Sequence, residues 1–327
     1  MLLRRYILYI IIGVSLIACD RQSHPNAPET VEQAIGMAPT SVAATRALIS
    51  DTEGLQREGF VVYGYKETPS SGTQVFTHQA VNYNNRWGYT PTRYWDRAAS
   101  YYFGAFSPQT IDTNHQGTGK ATHTILIEAP HWQVIDGNEV DIVVATSHDE
   151  AENYLDLQGG VVDLAFEHIL SQLEVQIVRN ALLTNEYRLT KLAYNAVPTD
   201  NATATYTLDY TTPSNSAMST VPTAEKIAYS NAKGVVVSSE VKGETTFKYL
   251  VVPFNATTDG GLQIVVSYTV NGGTPKQSTV KTGLATLEAG KRYVLKLTFD
   301  SGLDIIPELE IADWEEQEID EDPKYNW

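Results

Sequence analysis

The sequence predicts an all-β protein made of two antiparallel β-sandwich domains in tandem. The chain has 327 residues, and domains usually contain roughly 100–200 residues, so two domains are expected. Charged residues make up only 19% of the chain and hydrophobic residues 42%, which argues against a disordered chain and against a long helical bundle. Short apolar runs separated by Gly, Asn and Asp turns recur along the chain, and this spacing is typical of antiparallel sandwiches.

The first clear strand is Phe60 to Tyr65, a β-branched and aromatic run followed by a turn that contains Pro and Gly. In the C-terminal half, Leu262 to Val270 and Tyr293 to Phe299 alternate, so one face of each is predicted to lie in the core. Val161 to Val178 fits both helical and strand spacing, and we favour two strands separated by a short bulge. The other predicted strands are Thr124 to Ile127, Val140 to Ala145, Tyr187 to Tyr194, Thr203 to Leu208, Lys233 to Ser239, Thr245 to Val252 and Ile305 to Ile311.

The Gly159-Gly160 pair marks the predicted boundary between the two domains, residues 47–158 and residues 159–327. Before the first domain, Asp20 to Thr45 is rich in Ala, Pro, Thr and Ser. This composition predicts a tether or a weakly held edge strand that could detach at small cost.

The N-terminus has the pattern of a secretory signal. Two arginines precede Tyr6–Ala18, an apolar run of 13 residues that is too short to span a bilayer of ~30 Å. The run ends in a Leu-Ile-Ala-Cys sequence that resembles a bacterial lipobox, so residues 1–18 are predicted to be a lipoprotein signal peptide and Cys19 to be lipidated. A plain signal peptide with an incidental cysteine is the alternative. Because Cys19 is the only cysteine, disulfides and cysteine metal sites are excluded.

Charge and motifs exclude several functions. The net charge is −16, and removal of residues 1–18 with their two arginines gives 21 − 39 = −18, so nucleic acid is not an expected partner. No Gly-x-Ser-x-Gly motif occurs, and Gly117–Lys120 lacks the flanking residues of a phosphate loop. The sequence therefore predicts a protein that is not an enzyme and has no catalytic residues, metal or cofactor. His115, His123 and His131 recur every eight residues, and we expect them on the surface or in loops.

Aromatic residues concentrate between Phe60 and Phe106, and two interpretations are open. Packing in a sandwich core is favoured, because Tyr101, Phe103 and Ala105 alternate along one face of a strand. The alternative is a monomeric surface glycan-binding lipoprotein whose exposed tryptophan rings would stack on sugars. The three candidate tryptophans are Trp87, Trp95 and Trp132.

The C-terminal segment from Ile305 to Trp327 mixes acidic and apolar residues. Ile305, Leu309 and Ile311 lie on one face of a predicted strand, and Trp314 follows them. This pattern favours a segment that donates a strand to an apolar groove or docks in one, with an acidic solvated tail as the alternative.

Motifs distributed along most of the chain resemble those of the fimbrillins of Bacteroidetes, which are surface pilins of the FimA and Mfa-like type. The motifs are the lipobox at Cys19, Thr45–Ala47, Gly59–Tyr65, Tyr94-Trp95, Tyr101–Pro108, Val140–Ala145, Val162–Leu173, Leu287–Tyr293 and Ile311–Glu315. Each motif is weak by itself, and the order and spacing of the set carry the resemblance.

The resemblance implies two transthyretin-like or Ig-like β-sandwich domains and assembly by donor-strand exchange. In such pilins a lipoprotein precursor reaches the outer membrane, where a trypsin-like, arginine-specific protease removes the N-terminal strand. The matching bond here is Arg46-Ala47, which makes residues 19–46 the removable strand, and Arg57 is a second possible cut. A donor strand from another fimbrial subunit, in a homo- or hetero-polymer, then fills the groove. The mature protein would belong to a cell-surface fimbrium that serves adhesion.

The C-terminal segment departs from the family pattern. Pro307 cannot supply an N–H to a strand ladder, and the end of the chain is strongly acidic. The choice among stalk, tip and anchor subunit therefore stays open.

Overall fold

A computed structural model describes residues 32–44, 52–111, 113–117, 123–136, 139–198, 203–219, 223–256, 259–301, 304–313 and 315–318. Regular structure in these ranges is mostly β-strand, so the predicted all-β class is confirmed. The helices in the same ranges are short: α1 (Thr52–Glu58), α2 (Ala151–Leu157) and two 3-10 turns, Pro213–Asn215 and Gly243–Thr245.

The strands are numbered in chain order. They are β1 (Gly36–Ala44), β2 (Phe60–Glu67), β3 (Gly72–Tyr83), β4 (Trp87–Gly88), β5 (Ser100–Ser107), β6 (Thr113–Gln116), β7 (Thr124–Pro130), β8 (Trp132–Val134), β9 (Val143–Glu150), β10 (Val161–His168), β11 (Ser171–Arg179), β12 (Tyr187–Pro198), β13 (Thr203–Asp209), β14 (Ala217–Met218), β15 (Thr223–Val236), β16 (Thr246–Val251), β17 (Phe254–Asn255), β18 (Gln263–Val270), β19 (Lys276–Lys281), β20 (Thr286–Leu287), β21 (Lys291–Phe299), β22 (Ile305–Asp313) and β23 (Glu315–Glu318).

An eight-stranded sheet in the order β23-β1-β10-β9-β5-β2-β3-β4 forms the N-terminal part of the fold. All neighbours in this sheet are antiparallel except β1 and β10. The first core lies on one face of the sheet and contains most of its aromatic residues. Within it, the rings of Trp95 and Tyr154 stack with centroids 4.9 Å apart, and Tyr154 belongs to α2. The favoured interpretation of the aromatic cluster as core is confirmed.

A sandwich of two sheets forms the C-terminal part. The orders are β22-β21-β11-β16-β8 and β15-β12-β18-β19, and the second core takes side chains from both sheets. The predicted alternation holds in β21, where Tyr293, Leu295, Leu297 and Phe299 are buried. The two strands predicted across Val161 to Val178 are β10 and β11.

A third core joins strands from both halves of the chain. It packs β2 side chains such as Val61 against residues of β7 and against Tyr210, which follows β13. The packing is close, since a Cβ on Gly104 would lie 2.8 Å from the Cβ of Tyr210. Strand β7 pairs with β13, and β8 pairs with β16, so strands before Gly159 share sheets with strands after it. The chain from Gln33 onward forms one compact unit.

The position of the N-terminal strand differs from the expectation of a tether or an edge strand. Strand β1 lies between β10 and β23, inside the sheet. Its Ala, Pro and Ser residues have little tendency to form strands, so the local composition does not predict this strand. Packing against distant parts of the chain orders it.

No helix in the described part of the chain combines the length and the apolar character needed to cross a membrane.

Candidate functional site

The candidate functional site is the slot that β1 occupies. The register of β1 with parallel β10 runs from Gly36 opposite Val161 to Val42 opposite Phe166, with a bulge between Pro39 and Ser41. On its other edge β1 pairs antiparallel with β23, from Ser41 opposite Glu318 to Ala44 opposite Glu315. More than a hundred residues separate β1 from both partners, so its place in the sheet depends on the ladders and on side-chain packing.

Two apolar side chains anchor the N-terminal strand. Ile35 and Met37 are 0% exposed and belong to the first core together with Val162, Leu164 and Phe166. Full burial of a side chain of this size stabilises by about 1.5–3 kcal/mol. The expectation that this segment detaches at small cost is therefore wrong for the intact chain, because two buried anchors hold it in addition to the ladders.

A loop after β4 also holds the N-terminal segment. The hydroxyl of Tyr89 donates to the Ile35 carbonyl at 2.7 Å, and the Ile35 N–H donates to the Arg93 carbonyl at 2.8 Å. The Trp95 N–H donates to the Gln33 carbonyl at 3.0 Å. Burial raises the pKa of Tyr89 to about 12, so its hydroxyl stays protonated and remains a donor.

Hydrogen bonds to the Gly159-Gly160 pair hold the same segment. The Gly160 carbonyl accepts from the Gly36 N–H at 2.8 Å and from Trp95 Nε1 at 3.0 Å. Gln33 Nε2 donates to the Gly159 carbonyl at 2.6 Å. Gly160 has a φ of +83°, and a Cβ there would lie 2.4 Å from Gln33 Nε2. The positive φ favours glycine at this position, and a larger residue would also displace the Gln33 side chain.

The C-terminal candidate residues lie on β22, which is an edge strand. Ile305 is partly buried against the second core, whereas Leu309 is 38% exposed and Ile311 is 53% exposed. Pro307 sits opposite Leu297 of β21, and an edge strand tolerates a missing N–H. Strand β23 pairs with β1, and no other described strand pairs with it. Trp314 lies outside the described residues.

The residues predicted to be processed or lipidated, Cys19, Arg46 and Ala47, also lie outside the described residues. The flanking elements are nevertheless defined, because β1 ends at Ala44 and α1 begins at Thr52. The bond between Arg46 and Ala47 therefore lies between β1 and α1 along the chain.

The three tryptophans proposed as sugar platforms do not share a surface. Trp87 and Trp95 are 9% and 8% exposed and pack in the first core. Trp132 is partly buried against the second core and stacks on Tyr194 with ring centroids 5.2 Å apart. Stacking on a sugar requires an accessible ring face, and these rings already face protein neighbours.

His123 and His131 flank β7 and so lie in loops, as expected, but they are not on the surface. His123 and His131 are buried, and the rings of His115 and His123 stack with centroids 5.7 Å apart. His115 Nε2 lies 2.9 Å from the Tyr210 hydroxyl, and burial followed by the charge of His123 lowers the pKa of His115. In the described part of the chain, no group of three His, Cys, Asp or Glu residues is arranged to hold a metal ion.

Comparison with known proteins gives consistent matches. Residues 45–314 match the model of a family described as fimbrillin-like. The fold is similar to that of a fimbrial protein from Bacteroides vulgatus ATCC 8482, with 16% identity, a TM-score of 0.58, and 86% of this chain and 99% of that chain covered. It is also similar to a candidate cell adhesion protein from Bacteroides uniformis ATCC 8492, with 15% identity, a TM-score of 0.52, and coverage of 88% and 99%. No curated protein matches the sequence.

Proposed function

Because the chain belongs to the fimbrillin-like family, a structural and adhesive class rather than an enzymatic one, we propose that it polymerises when proteolysis removes β1. The proposed cut is the Arg46-Ala47 bond, made by a trypsin-like, arginine-specific protease. The observation that supports this proposal most strongly is the insertion of β1 between β10 and β23, immediately before that bond.

Removal of β1 changes the first core. The slot left by Ile35 and Met37 is lined by apolar residues of β10, including Val162 and Leu164. The edge of β10 also loses its parallel ladder partner. Exposed apolar surface costs about 25 cal/mol per Å², and an unpaired strand edge favours pairing with another chain. The cut subunit is therefore an acceptor for a new strand.

The same cut releases a donor. Strand β23 pairs with β1 alone among the described strands, so loss of β1 leaves β23 without a ladder partner. We propose that the segment from Ile305 to Trp327 then moves to a neighbouring subunit, where new strand pairing replaces the ladder between β22 and β21. Leu309 and Ile311 already expose apolar surface on β22, and burial in an acceptor slot would remove that surface from water. One event thus opens a groove and frees a strand.

Head-to-tail contacts of this kind do not close on themselves, so they produce a filament. The proposed partners are other fimbrial subunits, of the same or of a different type. A lipid on Cys19 would hold the precursor at the outer membrane, and the cut would separate that lipid from residues 47–327. An uncut subunit would keep its anchor, which gives a physical basis for an anchoring role.

The test is Arg46→Ala in the native host, with Arg57→Ala as the matched control. Arg57 lies in α1 and pairs with Glu58 at 3.0 Å, so its removal deletes an arginine without touching the proposed bond. We expect wild type and Arg57→Ala to give SDS-resistant ladders whose subunits begin at Ala47, and Arg46→Ala to remain uncut and monomeric. Normal ladders from Arg46→Ala would overturn the proposed cut.

A further inference from the structure

A polar pocket on the β3–β4 hairpin shares one lining residue, Tyr89, with the contacts that hold the N-terminal segment. Its volume is about 820 Å³, within the usual range for ligand sites. Amide side chains, a guanidinium group and a tyrosine line it. The lining includes Gln79, Asn82, Asn84, Asn85, Arg86 and Tyr89.

The hairpin presents these groups from a supported base. The Asn84 N–H donates to the Arg86 carbonyl at 2.9 Å, and Asn85 has a φ of +61°, a conformation that Asn tolerates better than most residues. Beneath the turn, the ring of Trp87 packs on Phe60 with centroids 5.1 Å apart. The exposed polar groups therefore belong to a hairpin that is held in place by packing in the first core.

The pocket has the hydrogen-bonding capacity to bind a hydroxyl-rich ligand. Each amide side chain can both donate and accept. Asn82 Oδ1 accepts from Gln109 Nε2 at 3.0 Å, which leaves the Asn82 amide nitrogen available as a donor. Tyr89 is half-buried, and its ring packs at 86° to the ring of Phe76 with centroids 5.1 Å apart. A ring held in this way offers a fixed apolar surface beside the amides.

The charge of the pocket is opposite to that of the protein. Acidic residues outnumber basic residues 39 to 23 in the chain, yet none of the described residues that line the pocket is acidic. Arg86 is exposed and its guanidinium forms no ion pair with any residue that the structure describes. A guanidinium group binds carboxylates through two parallel hydrogen bonds.

We propose that this pocket binds a sugar that bears a carboxylate, such as the terminal acidic residue of a glycan. Arg86 binds the carboxylate, and Gln79, Asn82 and Asn84 bind the hydroxyl groups. An acidic peptide is less suited to the site, because it offers few hydroxyl groups to the amides. The proposal does not depend on strand exchange, since it concerns the folded subunit.

The test measures the binding of sialyllactose, lactose and a poly-glutamate peptide to the full secreted chain by calorimetry. We expect sialyllactose to bind at least tenfold more tightly than lactose or the peptide. Arg86→Gln should reduce its affinity about tenfold or more, the size expected for loss of a charged hydrogen bond. Asn84→Asp should also weaken binding, because it places a negative charge beside the carboxylate.

Arg97→Gln is the control, since Arg97 makes an exposed ion pair with Asp156 at 3.7 Å outside the pocket and its removal is the same change in charge. Its affinity for sialyllactose should equal that of wild type. Thermal unfolding of each variant checks the fold. Equal binding of sialyllactose and lactose, no binding of either, equal binding of the peptide, or full affinity in folded Arg86→Gln would each overturn the proposal.

Discussion

The hydroxyl of Tyr89 donates a 2.7 Å hydrogen bond to the backbone carbonyl of Ile35, immediately before β1. The N–H of Ile35 returns a bond of 2.8 Å to the carbonyl of Arg93 in the same loop. The loop after β4 and the N-terminal segment therefore hold each other in place. Because Tyr89 also lines the polar pocket, one side chain contacts both the N-terminal segment and a second surface of the protein.

Tyr89→Phe should weaken the attachment of the N-terminal segment. The change keeps the ring but removes the hydrogen bond to the Ile35 carbonyl and the one that the Arg93 N–H donates to the hydroxyl at 3.3 Å. The free energy of unfolding should therefore fall by about 1–3 kcal/mol. Chemical denaturation measures this loss, and trypsin should cut near Arg46 faster than in wild type. Tyr94→Phe, on a ring that is 49% exposed, is the control, and an equal effect there would contradict the role of the Tyr89 bond.

Met37→Ala should destabilise the intact precursor by about 2–5 kcal/mol, the range for truncation of a buried Met side chain. Met37 is fully buried opposite Val162, whereas Thr40 on the same strand is exposed. Thr40→Ala should therefore change stability little. Hydrogen exchange at the amides of β10 should accelerate in Met37→Ala alone, and unchanged protection there would mean that β1 does not cover β10.

Gly160→Ala and Gly159→Ala form a matched pair. Both glycines have positive φ, +83° and +62°, so both substitutions carry a backbone cost of roughly 1–3 kcal/mol. Only at Gly160 would the added Cβ meet Gln33, because nothing lies within 4 Å at Gly159. Gly160→Ala should therefore increase hydrogen exchange at Gly36 and Trp95 more than Gly159→Ala does. Equal exchange in the two variants would mean that the close contact between Gly160 and Gln33 does not hold the N-terminal segment.

His115 should make stability depend on pH below its usual pKa of 6.5, because burial and the charge of His123 lower its pKa in the folded state. Between the folded and unfolded pKa values the unfolded chain binds more protons, so stability falls as pH decreases below about 6.5. His115→Gln should make stability less dependent on pH in this window, as measured by urea denaturation at several pH values. His148 is exposed, so His148→Gln controls for histidine content. If stability depended on pH equally in His115→Gln and wild type, His115 would not be the group responsible.

The sequence predicted the elements whose side chains alternate. Tyr293 to Phe299 is an example, because apolar and polar residues alternate along a strand that has one buried face. It did not predict that β1 lies inside a sheet, since Ile35 and Met37 are only two anchors in a segment of small residues. Contacts with β10, far along the chain, decide its place.

Two other features could not be predicted from the local sequence, because they also depend on contacts between separate segments. His115 and His123 are eight residues apart, but β6 and β7 pair so that His115 faces Ile125, which brings His123 to a diagonal position. The Gly159-Gly160 pair predicted a domain boundary, and that boundary stays a prediction. Its close contact with Gln33 could not be seen from the local sequence.

A reversible disulfide between β1 and β10 shows whether assembly requires the slot of β1. Ala38 and Asp163 are opposite each other in the ladder between β1 and β10, and Cys19 is the only native cysteine. In cells that express Ala38→Cys with Asp163→Cys, the disulfide should hold the cut strand in its slot, so that no SDS-resistant ladder forms until dithiothreitol is added. Each single-cysteine variant should form ladders without reductant. Ladders from the oxidised double variant, with the disulfide verified by mass spectrometry, would contradict assembly through the slot of β1.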